Sequence, residues 1–296
     1  MGLRPNPTYR QRRLGSELRR MRNACSLSAS SGGAIVDISS AHMSHIETGR
    51  TAIPEVKLRT LASAYGCNNE ALVNSLVTMG RTTGRGWWSK YKHNHPASTL
   101  DLAELEASAL ACQSFQWLYI PGLLQLPEYT RALITNAEPE ADKALLDACV
   151  EFRMRRQQVL AEGSALEFHA VIHETALHTQ FVPMGVMRRQ IEHLVEMSHL
   201  SHVHIQVLPL RANVFPVRFS TPFVLFEASV PELNTVYIEH PVSSPFISDQ
   251  DQLVQFAATF EGLRTVALPA IDVPVEPKFH TELSSLGLIQ NLLYSM

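Results

Sequence analysis

The stretch from Ile38 to Arg50 constrains this chain most, because it packs a helix start, an apolar stripe and a helix stop into one short run. Ser39 is suited to capping the first turn, Met43 and Ile46 recur at the spacing of one buried stripe, and Gly49 can take the left-handed conformation that ends a helix. Ser40, Ala41, His42, Ser44 and His45 then project outward. Small and hydrogen-bonding groups of this kind can approach base edges, and Arg50 follows as a positive charge for a phosphate.

At 296 residues the chain predicts two domains. Hydrophobic residues make up 45% and charged residues 18%, the balance of a soluble globular protein. The longest apolar runs, such as Phe223 to Phe226, are far short of a membrane span. Arg4, Arg10, Arg12 and Arg13 precede no apolar segment, so the N-terminus does not read as a signal peptide. Cys25, Cys67, Cys112 and Cys149 are scattered and form no CxxC pair, which suits reduced packing thiols in a cytoplasm. The net charge of −3 conceals a division: residues 1–90 hold 13 Lys and Arg against 5 Asp and Glu, a balance of +8, and the rest carries −11. A basic domain is drawn to a polyanion by counterion release, whereas an acidic one is repelled.

Leu14, Leu18 and Met21, flanked by Arg12, Arg13, Arg19, Arg20 and Arg22, predict a first helix with a basic side. Residues 28–36 predict a second, capped by Ser28 and weakened by Ser30, Ser31, Gly32 and Gly33. Residues 53–65, with Val56, Leu61 and Tyr65 inward, and 70–77 complete five short helices. The run through Ile46, Glu47, Gly49 and Arg50 resembles prokaryotic helix-turn-helix regulators related to phage repressors, the XRE type, whose recognition helix commonly closes on Ile-Glu-x-Gly-Arg. That resemblance implies a recognition helix in the major groove, with the preceding helix crossing the backbone. Ser39, Ser40, Ala41, His42, Ser44 and His45 are then the candidate groove residues, and Ser28, Ser30 and Arg50 candidate phosphate contacts. Arg12 and Arg13 are further basic candidates. Imidazole lacks the bidentate fork by which Arg reads guanine, so His42 and His45 should discriminate modestly.

Residues 79–100 read as a linker in which Trp87 and Trp88 either dock on one domain or wall a pocket. Residues 101–268 carry an α+β pattern: helices at 102–110, 128–135, 141–160, 184–200 and 250–266, and strands near 166–172, 203–208, 222–227 and 235–239. A Pro-rich break at 269–277 precedes an amphipathic helix with Leu283, Leu286, Ile289 and Leu293, which can dock on its own domain or a partner. The fold class is thus α+β overall, an all-α N-terminal domain joined to a larger α+β one. Trp87 and Trp88, Pro121 to Gln125, Tyr129, Arg131, Arg153 to Gln157, Glu174 to Leu177, Val203 to Pro209 and Val236 to Glu239 together resemble one actinobacterial group of regulators, over about residues 10–268. The resemblance implies a transcription regulator with an antitoxin-like C-terminal domain, often encoded beside a small partner protein.

Metal and catalytic chemistry find little support. His173 and His178 flank Glu174 like a zincin motif with one residue too many; positions i and i+5 on a helix diverge by about 140°. His199, His202 and His204 form a second weak cluster, and Glu174 with Glu239 a weak carboxylate pair. No P-loop, Gly-x-Gly-x-x-Gly or Gly-x-Ser-x-Gly sequence occurs. The expectation is a non-enzymatic cytoplasmic regulator without cofactor or metal. It would bind double-stranded DNA as a homodimer on half-sites about 34 Å apart. An antitoxin-like module that holds a small partner (with Leu286 and Ile289 as its surface) and a ligand sensor using Trp87 or Trp88 are the alternatives.

Overall fold

The computed structural model describes residues 3–82, 84–212, 221–240, 244–272 and 284–296. The chain divides into two compact units, Met1–Glu104 with Ser229–Leu233, and Leu105–Ala228 with Asn234–Met296. Drawn this way, the units carry +6 and −9, so the charge division persists in slightly smaller form.

The first unit contains α1 (Tyr9–Ala24), α2 (Ala29–Ile35), α3 (Ser40–Glu47), α4 (Glu55–Ala64) and α5 (Glu70–Arg81). Each start has a local cause. Thr8 and Gln11 form a capping box on α1, Ser28 caps α2, Ser39 caps α3 and Asn69 caps α5, while α4 begins after Pro54. Leu18, Met43, Ile46, Leu58, Leu61, Leu72 and Leu76 meet in the core. Val56, expected inward, is 77% exposed. Helix α4 starts only at Glu55, and its phase turns Leu58 to the core and Val56 outward.

The expected linker at 79–100 is largely ordered structure of the first unit. Helix α5 runs on to Arg81, a short 3-10 turn spans Trp87–Tyr91, and α6 (Ala97–Glu106) follows. Trp87 packs edge-on against both Trp88 and Tyr91 at centroid distances of 5.9 Å, and Tyr91 is buried. Aromatic packing holds this segment in place of linker flexibility.

The second unit is a mixed sheet with helices. Its strands are β1 (Ala111–Gln116), β2 (Glu167–His173), β3 (Val203–Leu208), β4 (Phe223–Glu227), β5 (Thr235–Tyr237) and β6 (Phe246–Ile247), in the order β3-β2-β1-β4-β5-β6. β1, β2 and β3 are parallel, whereas β4, β5 and β6 pair antiparallel. The helices are α7 (Pro127–Ala137), α8 (Lys143–Arg156), α9 (Met184–Met197), α10 (Gln250–Val266) and α11 (Ser285–Ser295). Phe115, Val171, Leu208, Phe223 and Leu225 from the sheet pack against Leu253, Phe260 and Leu263 of α10.

Helix α11 lies against α9 and β3, and Ser285 Oγ accepts a hydrogen bond from Val207 N at 2.9 Å. Leu286 and Ile289, offered above as a partner surface, are 4% and 0% exposed and belong to the core of their own unit. Burying that stripe at home satisfies the apolar face without a second molecule. Leu283 and residues 273–277 of the Pro-rich break lie outside the described residues.

Candidate nucleic-acid interface

Helix α3 is built two-faced. Met43 and Ile46 are buried at 0% and 2%, while Ser39, Ser40, Ala41, His42 and Ser44 are exposed and His45 is half-buried. Ser39 Oγ accepts from His42 N at 3.2 Å, fixing the first turn, and Thr48 Oγ1 donates to Ser44 O at 2.8 Å at the far end. Gly49 adopts φ +75° as its place after the helix required, and a Cβ there would lie 2.8 Å from the Arg12 backbone nitrogen. Arg50 follows, exposed. Ser28 and Ser30, at the start of α2, are exposed as well, and Ser28 Oγ accepts from Ser31 N at 3.0 Å. A capping serine accepts through its oxygen, and its hydroxyl hydrogen can still be donated; for Ser28, whose Oγ lies 2.9 Å from Ser31 Oγ, this holds when Ser31 is the donor of that bond.

The glycines that looked like defects in α2 have a packing role. A Cβ on Gly33 would fall 2.5 Å from Ile38 O, so only glycine lets the turn into α3 close this tightly. Lys57 of α4 adds a tie, its Nζ donating to Val36 O at 2.8 Å.

What holds α3 on its scaffold is a buried ion pair that sequence reading missed. Arg22 Nε and Nη2 donate to Glu47 Oε1 and Oε2 at 2.5 and 2.8 Å, with both side chains under 10% exposed. Donation of hydrogen bonds to Glu47 keeps the Arg22 guanidinium above its ordinary pKa, against the opposing effect of burial. Arg22 also donates to Leu27 O at 2.5 Å, so one guanidinium ties α1, the approach to α2 and the end of α3. The only sequence signal was an acidic residue at a fixed place before Gly49, and its partner stands 25 positions earlier.

The other basic candidates are occupied elsewhere. Arg13 is 4% exposed and donates to Glu17 at 3.1 Å, which removes it from any phosphate contact. Arg12 Nη2 donates to Asp101 at 3.3 Å. Trp87 and Trp88 pack on each other, and the cavity lined by Arg4, Arg10, Leu14, Ile46, Ile53 and Met79 includes neither; at about 30 Å³ it is the size for water and far too small for an organic ligand.

In the second unit, the stretches 121–125, Tyr129 and 153–157 converge on one turn. Gln125, 2% exposed, donates from Nε2 to Ile120 O at 2.6 Å, and its Oε1 accepts from Arg153 Nη1 at 2.6 Å. Gln157 Nε2 donates to Gly122 O and Gln125 O at 3.1 and 2.6 Å. Arg156 pairs with Glu106 through two bonds of 2.8 and 2.6 Å. Glu174 accepts from Leu210 N at 2.7 Å and lies 3.3 Å from His178 Nε2, so that carboxylate is engaged in holding backbone. Gln125 and Gln157 thereby satisfy the backbone carbonyls of the irregular segment 120–125.

Two family models match the chain. One, a helix-turn-helix domain, covers residues 13–76; the other, a domain of unknown function designated DUF5753, covers residues 99–272, more than half of the length. The chain belongs to the DUF5753 family. No curated protein and no solved structure matches it. The helix-turn-helix match spans α1 to α5 from Arg13 onward, and makes the first unit the DNA-binding module of a regulator. The DUF5753 match takes in the mixed sheet, α10 and the Gln125 turn, and ends before α11. No described helix is long and apolar enough to cross a membrane.

Proposed function

We propose that the protein is a sequence-specific transcription regulator that reads operator DNA through α3 and is controlled through its DUF5753 domain. The observation that carries this reading is the outer face of α3, where Ser40, Ala41, His42, Ser44 and His45 stand on a helix fixed from behind by Met43, Ile46 and the Arg22–Glu47 pair. A rigid element presenting small polar groups is what base readout in the major groove requires. Ser28, Ser30 and Arg50 flank that face as phosphate contacts, which set register without reading sequence. The +6 balance of the first unit supplies attraction to the polyanion, and the −9 balance of the second keeps it off the duplex. In this reading the protein works in the cytoplasm as a homodimer on a two-fold operator, without enzymatic activity. Selection of binding sites from randomised DNA tests it: an enriched motif supports the reading, and uniform recovery of all sequences rejects it.

A second reading, in which the DUF5753 domain holds a small partner protein in an antitoxin-like arrangement, is favoured by Trp117, Leu118 and Tyr119. These three consecutive large side chains are 39%, 37% and 38% exposed after β1. Such exposed apolar groups are characteristic of interaction surfaces. Replacing all three with Ser should abolish co-purification of a neighbour-encoded protein if this reading holds, and leave DNA affinity intact.

A further inference from the structure

We propose that Glu167, His169 and His204 form a binding site for one divalent transition-metal ion of the zinc class on the sheet of the second unit. The topology brings them together. His169 on β2 is the register partner of His204 on β3 across a parallel pair, and Glu167 sits two residues before His169 on the same side of β2. The imidazole centroids are 4.5 Å apart, His204 Nε2 lies 3.7 Å from Glu167 Oε2, and the three donor atoms all fall within 4.8 Å of one another.

The donor set has a definite preference. Two imidazoles and one carboxylate suit zinc, nickel and copper better than magnesium or calcium, and three protein ligands with an open position is a common catalytic-type arrangement. At metal–ligand distances of about 2.0–2.2 Å, tetrahedral donors stand roughly 3.4 Å apart. The donors here must therefore draw in by about 1 Å, which rotation of half-exposed side chains supplies; those of His204 and Glu167 are 42% and 55% exposed. On α10, Arg264 and Glu261 act electrostatically on His169 with opposite signs, and they pair with each other at 3.0 Å, so the nearby cation is offset. The outer edge of β3 is covered by bonds from Leu268 and Ile271, but His204 stands on the sheet face with its side chain 42% exposed, which leaves it approachable from solvent.

The histidines singled out from the sequence are placed otherwise. His202 lies 3.3 Å from Leu160 O, His199 contacts the carbonyls of Val195 and Glu196, and His173 is bonded to Thr175. The cluster of His199, His202 and His204 does not assemble; alternation along β3 puts His204 beside His169 instead.

The test uses the full-length, tag-free chain stripped with chelator and titrated with Co²⁺ and Zn²⁺ by calorimetry and absorption spectroscopy. One Co²⁺ per chain is expected, with d–d absorption and no thiolate charge-transfer band. Affinity should fall at least about tenfold in His169→Ala and in His204→Ala. His199→Ala should bind as the wild type does. Zn²⁺ should raise the melting temperature of the wild type and not of His204→Gln, a variant chosen to preserve the strand. Absence of Co²⁺ binding at millimolar concentration overturns the proposal, as does wild-type affinity in both His variants with native circular dichroism.

Discussion

Removing Glu47 should be among the most damaging single changes in the first unit. Its side chain is 5% exposed and that of Arg22 is 8%, so Glu47→Ala strands a guanidinium in a nearly dry site. Breaking a buried pair from one side costs about 3–5 kcal/mol. Arg22 retains its bond to Leu27 O at 2.5 Å, which argues for the lower end of that range. Small domains have stabilities of roughly 5–15 kcal/mol, so even about 3 kcal/mol is a large share. At 4–8 °C per kcal/mol, the melting transition should drop by about 12 °C or more. Differential scanning calorimetry of the full-length protein measures this, with the first-unit transition identified by its upward shift when DNA is added. Replacing both partners, as Arg22→Met with Glu47→Leu, should restore much of the loss, because no charge is left unpaired. A Glu47→Ala transition within about 1 kcal/mol of wild type would mean that the pair is worth no more than an exposed one and does not anchor α3.

Other consequences can be checked separately. Gly33→Ala should destabilise by about 1–3 kcal/mol in chemical denaturation despite the better helix propensity of Ala, because the new Cβ meets Ile38 O at 2.5 Å. Tyr65 has a buried hydroxyl without a hydrogen-bond partner among the described residues, and burial, with Glu47 adding to it, pushes its pKa up to about 12. The folded state thus holds that proton more tightly than the unfolded chain, and stability should fall as pH rises from 10 toward 12; Tyr65→Phe should flatten the fall, followed by denaturation at several pH values. Arg50→Ala should weaken binding to all sequences alike and lower the salt slope by about 1, read by fluorescence anisotropy.

Local signals carried the sequence reading far in the first unit. The caps at Ser28 and Ser39, the stripe of Met43 and Ile46 and the stop at Gly49 depend on residues a few positions apart. The alternation of β3 and the periodicity of α9 and α10 were legible for the same reason. Strand β1 was not, although it lies inside the sheet between β2 and β4: Ala111, Cys112, Gln113, Ser114, Phe115 and Gln116 include no β-branched residue, and its strand character comes from two neighbours. Val56 was misplaced because it stands five residues before Leu61, about 140° around the helix from it, whereas Leu58 and Leu61 share the buried face. The Arg22–Glu47 pair and the meeting of His169 with His204 are products of tertiary contact, with no local periodicity to announce them.

Whether the outer face of α3 reads DNA sequence can be decided by comparing the sites enriched by wild type and by His42→Ala from the same randomised DNA pool. The expected result is an enriched motif in which His42→Ala relaxes one base pair, a loss of about 1–3 kcal/mol of discrimination there, while affinity for unrelated DNA is unchanged. An identical motif in the variant, and again after Ser40 and His45 are also replaced by Ala, would contradict it.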